Sequence, residues 1–132
     1  MLLVDGHGTP LSVDIASASP AEVKLIETLL TKRVLRRRPQ RLIYDRAADS
    51  DPLRKRLAQR CIELICPHRR GRKRPPTQDG RPLRRYKRRW KIERSIAWLF
   101  HYRRLVVRYE RHDYLFLGLI QLACVFTMLK RF

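Results

Sequence analysis

Through residue 66 the apolar residues of this chain come in short runs, each cut off by glycine, proline or charge. Such runs suit single strands or short amphipathic helices, so the first half must be assembled from small elements in series. "MLLVD" ends in the turn residues "GHGT" and is followed by "PLSVDIA". That pattern predicts two strands joined as a hairpin. "SPAEVKLIETLLTKR" opens with Ser19 before Pro20, an N-cap followed by a residue that suits the first helical turn. Val23, Ile26, Leu29 and Leu30 line one face of this helix, and "RRRP" closes it. "RLIYD" predicts a strand ending on Asp45. "DSDPLRKRLAQR" predicts a second helix with Asp51 as N-cap and Pro52 at its first position, and "CIELICP" a further strand. The order β-β-α-β-α-β, then helices, argues for one α/β domain over residues 1–132 with at least one parallel strand pairing.

Past residue 66 the character changes. There are 12 Lys and Arg against 8 Asp and Glu up to residue 66, and 19 against 4 beyond it, so most of the net charge of +19 lies in the second half. A strongly basic half beside a near-balanced one points to a polyanion, nucleic acid first and an anionic membrane surface second. Residues 67–85, "PHRRGRKRPPTQDGRPLRR", have no apolar period and predict a basic loop. It is either a solvated connector or an arm that contacts phosphates. "YLFLGLIQLACVFTML", Tyr114 to Leu129, carries no charge but falls short of a bilayer span. Leu115, Leu119, Leu122, Phe126 and Leu129 recur at helical spacing, which predicts a buried core helix over about 112–131 and no membrane span. Three cysteines make no disulfide framework and suit a reducing, cytoplasmic setting. Cys61, Cys66 and His68 lack the spacing of a zinc knuckle.

"RRYKRRWKIERSIAWLF", residues 84–100, holds one carboxylate, Glu93, among bases. At about 100° per residue, Glu93 shares a face with Tyr86, Ala97 and Phe100, while Lys87, Arg88, Lys91 and Arg94 fall opposite. The Glu93 face is the one expected to turn toward the rest of the protein, with Trp90 in the core. Trp98 falls on the basic side, where it could stack on a base or cover a neighbouring helix. A carboxylate on an inward face needs a partner or a cation. Arg89, one turn earlier, offers a plain helix brace. Asp45, at a strand end, is either a turn acid or a group delivered to the sheet edge where α/β proteins place ligands. Two isolated acids inside so basic a chain suggest a site for divalent cations, of the kind that nucleic-acid backbone chemistry uses.

At these residues the chain resembles the DDE transposases of bacterial insertion sequences, in the group labelled insertion sequence families four and five. "YDRAADSD" at 44–51 is similar to the segment that holds the family's second catalytic aspartate, which places that role on Asp45. "YKRRWKIER" at 86–94 matches the signature of Tyr, two residues, Arg, three residues, Glu, which places roles on Tyr86, Arg89 and Glu93, with Glu93 as the third acid. "FLGLIQLACVFTMLKRF" resembles the group's C-terminal helix and "LLVDGHGTPLSV" its second and third strands. The resemblance implies an RNase H-like, retroviral integrase-like mixed sheet with flanking helices, truncated at its N-terminus. The family's first aspartate lies on a strand before the point where this chain begins; Asp5 matches a different position, and the DNA-binding N-terminal region is also missing. The signature's DNA-contacting lysine, seven residues after the glutamate, is replaced by Phe100, with Arg103 or Arg104 as candidate substitutes.

The resemblance thus implies the C-terminal part of a transposase, from a truncated copy or a split gene. Asp45 and Glu93 would bind Mg²⁺ or Mn²⁺, with Tyr86 and Arg89 holding Glu93. Arg69, Arg70, Arg72, Lys73 and Arg74 of the arm, with Lys87, Arg88, Lys91 and Arg94 of the helix, would contact DNA phosphates at element ends and target. Weak or no cleavage is expected in isolation, since one acid is missing. A homo-oligomer on DNA, an upstream polypeptide that completes the site, and a cytoplasmic, nucleoid-associated location are further expectations. The alternative is a non-catalytic remnant that still grips DNA.

Overall fold

A computed structural model describes residues 1–17, 19–35 and 37–130. Strands β1 (Leu2–Val4) and β2 (Pro10–Val13) form the expected antiparallel hairpin, with Leu2 opposite Val13 and Leu3 opposite Ser12. Helix α1 (Glu22–Thr31) leads to β3 (Arg41–Ile43), and a 3₁₀ turn (Arg46–Ala48) leads to α2 (Asp51–Gln59) and β4 (Glu63–Ile65). β3 and β4 pair in parallel, Leu42 against Leu64, with α2 as the crossover that such pairing needs. The order β-β-α-β-α-β and its parallel pairing are therefore as expected. A single mixed sheet is not: among the described residues the strands form two separate two-stranded sheets.

Two helix starts differ from expectation. Ala21, not Ser19, is the N-cap of α1, with no side-chain cap, because the extended backbone at Ala21 lets the helix begin only at Glu22. The cap of α2 is Ser50, whose hydroxyl accepts from the Leu53 amide, and Asp51 instead sits in the first turn beside Pro52. α1 ends at Thr31, before "RRRP", of which Arg36 lies outside the described residues.

The hairpin stands between two apolar clusters because successive side chains point to opposite faces. Met1 and Leu3 pack on the cluster of Ile26, Leu30, Leu42, Leu53, Leu57 and Leu64. Leu2 and Val13 pack on a smaller cluster of Leu99, Ala123 and Cys124. The latter residues come from α4 (Trp90–Leu99) and α6 (Asp113–Leu129). Before them lie α3 (Gly80–Leu83) and a 3₁₀ segment (Arg84–Arg89), so the predicted loop 67–85 becomes helical near its end; α5 (Arg103–Val106) joins α4 to α6.

The C-terminal helix forms where expected, although residue 131 lies outside the described residues. It is not a buried core helix. Only Ala123, Cys124 and Thr127 are buried, Leu115, Leu122 and Phe126 are about half exposed, and Leu129 is more so. The helix is apolar over most of its surface, and α4, α5 and β2 pack on it while Leu115, Leu122, Phe126 and Leu129 stay open. No helix among the described residues is long and apolar enough to cross a membrane.

Cap chemistry separates the two serines experimentally. Ser50→Ala should cost about 1 kcal/mol in urea unfolding, as lost N-caps do. Ser19→Ala should stay within about 0.5 kcal/mol. Equal losses would mean that α1 starts at Ser19 after all.

Candidate functional site

Asp45 follows β3 and caps the next turn: its Oδ1 accepts from the Ala47 amide at 2.8 Å. Its Oδ2 faces Arg89 Nη1 at 4.0 Å. Arg89 closes the 3₁₀ segment before α4. Its Nη2 pairs with Glu93 Oε1 at 3.0 Å, and its Nη1 donates to the Tyr86 hydroxyl at 2.9 Å. One guanidinium thus gathers Asp45, Tyr86 and Glu93, although β3 and α4 are far apart in sequence. The brace Arg89–Glu93 exists, and it is also a link to Asp45. The Tyr86 bond, against a burial cost, and then the Glu93 pair raise the pKa of Arg89. The side chains of Asp45 and Glu93 are 41% and 59% exposed, open to a diffusing cation.

The predicted inward face of α4 is the outward one. Glu93, Ala97 and Phe100 are exposed, and Ser95 and Leu99 are buried. The reason is the hairpin turn, whose three carbonyls in a row receive donors from α4. Lys91 Nζ donates to Gly6 O, Arg94 Nη2 to His7 O at 3.1 Å, and Ser95 Oγ to Gly8 O at 2.7 Å. Gly8 has φ +86°, and a Cβ there would lie 2.9 Å from Ser95 Oγ, so glycine is needed on both counts. Lys91 and Arg94, expected on a solvent-facing basic surface, are therefore turned to the hairpin. Arg94 also lies over Trp90 at 4.6 Å and Trp98 at 4.8 Å. Trp90 is 50% exposed, not core, because its ring reaches out along α4 to cover that guanidinium.

The basic arm is held by two acids, Asp49 and Asp51, that flank the start of α2. Asp49, 3% exposed, accepts from Arg54 at 3.1 Å, from the Arg69 amide at 2.8 Å and from His68 Nδ1 at 2.9 Å, with Arg72 at 3.6 Å. The Thr77 amide donates to His68 Nε2, so the ring proton sits on Nδ1. Burial opposes the charge of Asp49, but the Arg69 amide, His68 and Arg54 outweigh it and hold its pKa at about 2. Asp51 takes Arg72 at 2.9 Å and Arg74 at 3.3 Å. The Arg69 guanidinium donates to the Arg46 and Ala47 carbonyls. No periodicity marks Asp49. The usable signal was that a run of arginines poor in acids must find counter-charge outside the run.

Of the remaining predicted DNA contacts, Arg70, Lys73, Lys87, Arg88 and Arg103 are exposed, and Arg104 pairs with Glu110 at 3.2 Å. Asp5, left out of the acid set, binds its own turn through the His7 and Thr9 amides. Cys66 is buried against Arg54, and burial pushes its thiol up to about 11. Among the described residues no three His, Cys, Asp or Glu side chains form a metal-binding group. Among the described residues, Arg89 links two acids, Asp45 and Glu93.

Comparison with known proteins adds a family. The model of the transposase DDE domain matches residues 1–128. The protein assigned as the transposase for insertion sequence element IS402 of Burkholderia cepacia is 35% identical over 131 residues, covering 93% of this chain and 58% of the relative. The chain thus spans a little over half the length of that curated relative. No solved structure matches.

Asp49→Asn should lower stability by roughly 3 kcal/mol, because it removes the carboxylate that neutralises the buried Arg54 guanidinium and leaves it only neutral partners such as Leu64 O and Cys66 O. The pH dependence has a definite sign. The folded pKa of Asp49, about 2, lies below the ordinary 3.8. Its contribution is therefore complete above pH 3.8 and fades as pH falls toward 2. Thermal melts of both proteins across this range should converge at the acid end; a constant gap would assign Asp49 no such role.

Proposed function

The chain belongs to the transposase DDE domain family, and we propose that it forms the C-terminal portion of an RNase H-like catalytic core that cuts and joins DNA. The observation that carries this reading is the convergence of Asp45 and Glu93 on Arg89. Two carboxylates that share one guanidinium repel each other, and the positive charge between them offsets that repulsion. The same pair fits a divalent cation: both acids are oxygen donors, both are open to solvent, and each has an oxygen directed at a positive charge. Mg²⁺ or Mn²⁺ bound there would activate the attacking oxygen and stabilise the leaving oxygen of a phosphodiester. Arg89 and Tyr86 set the rotamer of Glu93, and the Ala47 amide fixes that of Asp45.

A segment outside these residues supplies the third acid. The longer relative supports this, as do the two separate strand pairs, which one further strand would join into a mixed sheet. The exposed cations Arg70, Lys73, Lys87 and Arg88 hold the backbone of the element ends and target without reading sequence. The setting is cytoplasmic, on the nucleoid. A second reading, a DNA-binding remnant without chemistry, is favoured by one fact: Arg89 and Glu93 stand four residues apart on one helix, where a brace needs no metal.

Metal binding separates the two. Calorimetry with Mn²⁺ should give heat with the intact chain and none with Asp45→Ala, Glu93→Ala; identical traces would leave only the binder. DNA affinity should fall with salt by about 0.9 log units per log unit for each phosphate contact. Replacing Arg70, Lys73 and Arg88 by alanine should flatten that slope by nearly 3. Lys91→Ala should leave the slope in place and instead lower stability, and a slope change there would return Lys91 to the DNA surface.

A further inference from the structure

The last turns of α4 and α6 border a cavity of about 420 Å³, within the roughly 300–1,000 Å³ range of small-molecule sites. It is lined by Trp98, His101, Tyr102, Thr127 and Lys130. Trp98 follows Glu93 on α4 and stands about 140° round the helix from it, so the cavity lies on a different side of α4 from the two acids. Arg94 lies over the Trp98 ring at 4.8 Å, and Tyr102 packs on the cluster of Leu99, Ala123 and Cys124, so the fold sets both rings. His101 Nδ1 donates to Ala97 O at 2.9 Å, which leaves Nε2 as an acceptor in the neutral ring. Thr127 Oγ1 donates to Ala123 O at 2.8 Å. The Tyr102 hydroxyl stands 3.5 Å from Thr127 Oγ1, beyond the usual reach of an O–H···O bond, and so keeps its proton for a ligand. Lys130 is exposed, with Nζ 5.7 Å from the centre of the Tyr102 ring.

We propose that this cavity takes a nucleobase, stacked on its aromatic walls, with the attached phosphate held at Lys130. The lining selects that chemistry. Its walls hold aromatic rings and no Leu, Ile, Val or Met. A lipid tail or an apolar peptide would strand the imidazole, the hydroxyls and the ammonium without partners. A planar base stacks on the rings, and its edge meets the Tyr102 hydroxyl as donor and His101 Nε2 as acceptor. Both helices end here, and their partial negative charge disfavours a bare anion inside the cavity. A nucleotide suits that field, because the base is uncharged and the phosphate stays at the rim. Arg103, exposed and directly after Tyr102, offers a second cation there. The base comes from an unpaired stretch of a nucleic-acid strand or from a free mononucleotide, since a duplex hides its bases in the stack. The site goes beyond the reading at Asp45 and Glu93 and needs no metal; it rests on the DNA partner of that reading only for the source of the base.

Tryptophan fluorescence of the intact chain tests this. Trp90→Phe leaves Trp98 as the remaining indole, so its emission reports the cavity. In EDTA, single-stranded oligothymidylate should quench it, whereas an abasic strand of the same length and a matched duplex should not. Thymidine monophosphate separates the sources: saturable quenching by it assigns a free mononucleotide, and quenching by the strand alone assigns an unpaired stretch. Lys130→Ala should weaken the base-dependent quenching about tenfold. In high salt, where phosphate contacts are screened, a labelled strand followed by anisotropy should bind Trp98→Leu at least about fivefold more weakly. If Trp98→Leu loses its helical dichroism, Lys130→Ala and the abasic comparison decide. Equal quenching by the abasic strand or the duplex overturns the proposal. So does the absence of quenching by strand and nucleotide alike, or an affinity indifferent to Lys130→Ala. An abasic strand that binds with its salt slope while no base quenches leaves the DNA reading standing; failure of every strand to bind would overturn both.

Discussion

Three successive carbonyls at the tip of the hairpin, those of Gly6, His7 and Gly8, each receive a donor from one stretch of α4. The rest of the second half is oriented by this clasp. It turns Lys91, Arg94 and Ser95 inward, and in a helix that forces the residues about half a turn away outward. Glu93 is among the latter. The clasp also explains a glycine: Gly8 combines a left-handed backbone with the close approach of Ser95 Oγ. Both clusters of apolar side chains meet the hairpin, so its position relative to α4 is fixed from either side.

Orientation of α4 in turn decides what the two acids can do. Had the Glu93 face been buried, Glu93 would need a fixed partner and could not exchange it. Facing out, it shares Arg89 with Asp45 at the surface, where a guanidinium can yield its place to another cation. The arrangement is electrostatically incomplete: one arginine is shared by two carboxylates, and both remain hydrated.

Element order was legible because hydrophobic runs and turn residues act locally. The parallel pairing followed from it, since α2 is a crossover of the right length. Helix caps were less legible: Ser19 and Ser50 both precede helices, and only backbone geometry says which hydroxyl reaches an amide. The face of α4 was misread because the wheel weighed apolar content. The winning contacts were polar, from Lys91, Arg94 and Ser95 to backbone carbonyls more than 80 positions earlier in the chain. The same weighting placed α6 in the core, though Leu115, Leu122, Phe126 and Leu129 on it stay about half exposed or more. Of the candidate site, the family signature points to Tyr86, Arg89 and Glu93 and the segment "YDRAADSD" to Asp45; the structure gathers all four at one guanidinium. Asp49 escaped notice because an acid ahead of a helix has a ready local explanation.

The arm that carries Arg70 and Lys73 is tied down before any ligand arrives. Arg54 alone bonds Leu64 O, Gln78 Oε1, Asp49 and Cys66. A tethered arm loses its chain freedom when the domain folds, so engagement of a partner need not order it again. The Arg69 and Thr77 amides are bonded to Asp49 and His68, so the arm is anchored at both ends. A polyanion docking there would meet a segment already placed, unlike a loose basic tail that must fold as it binds.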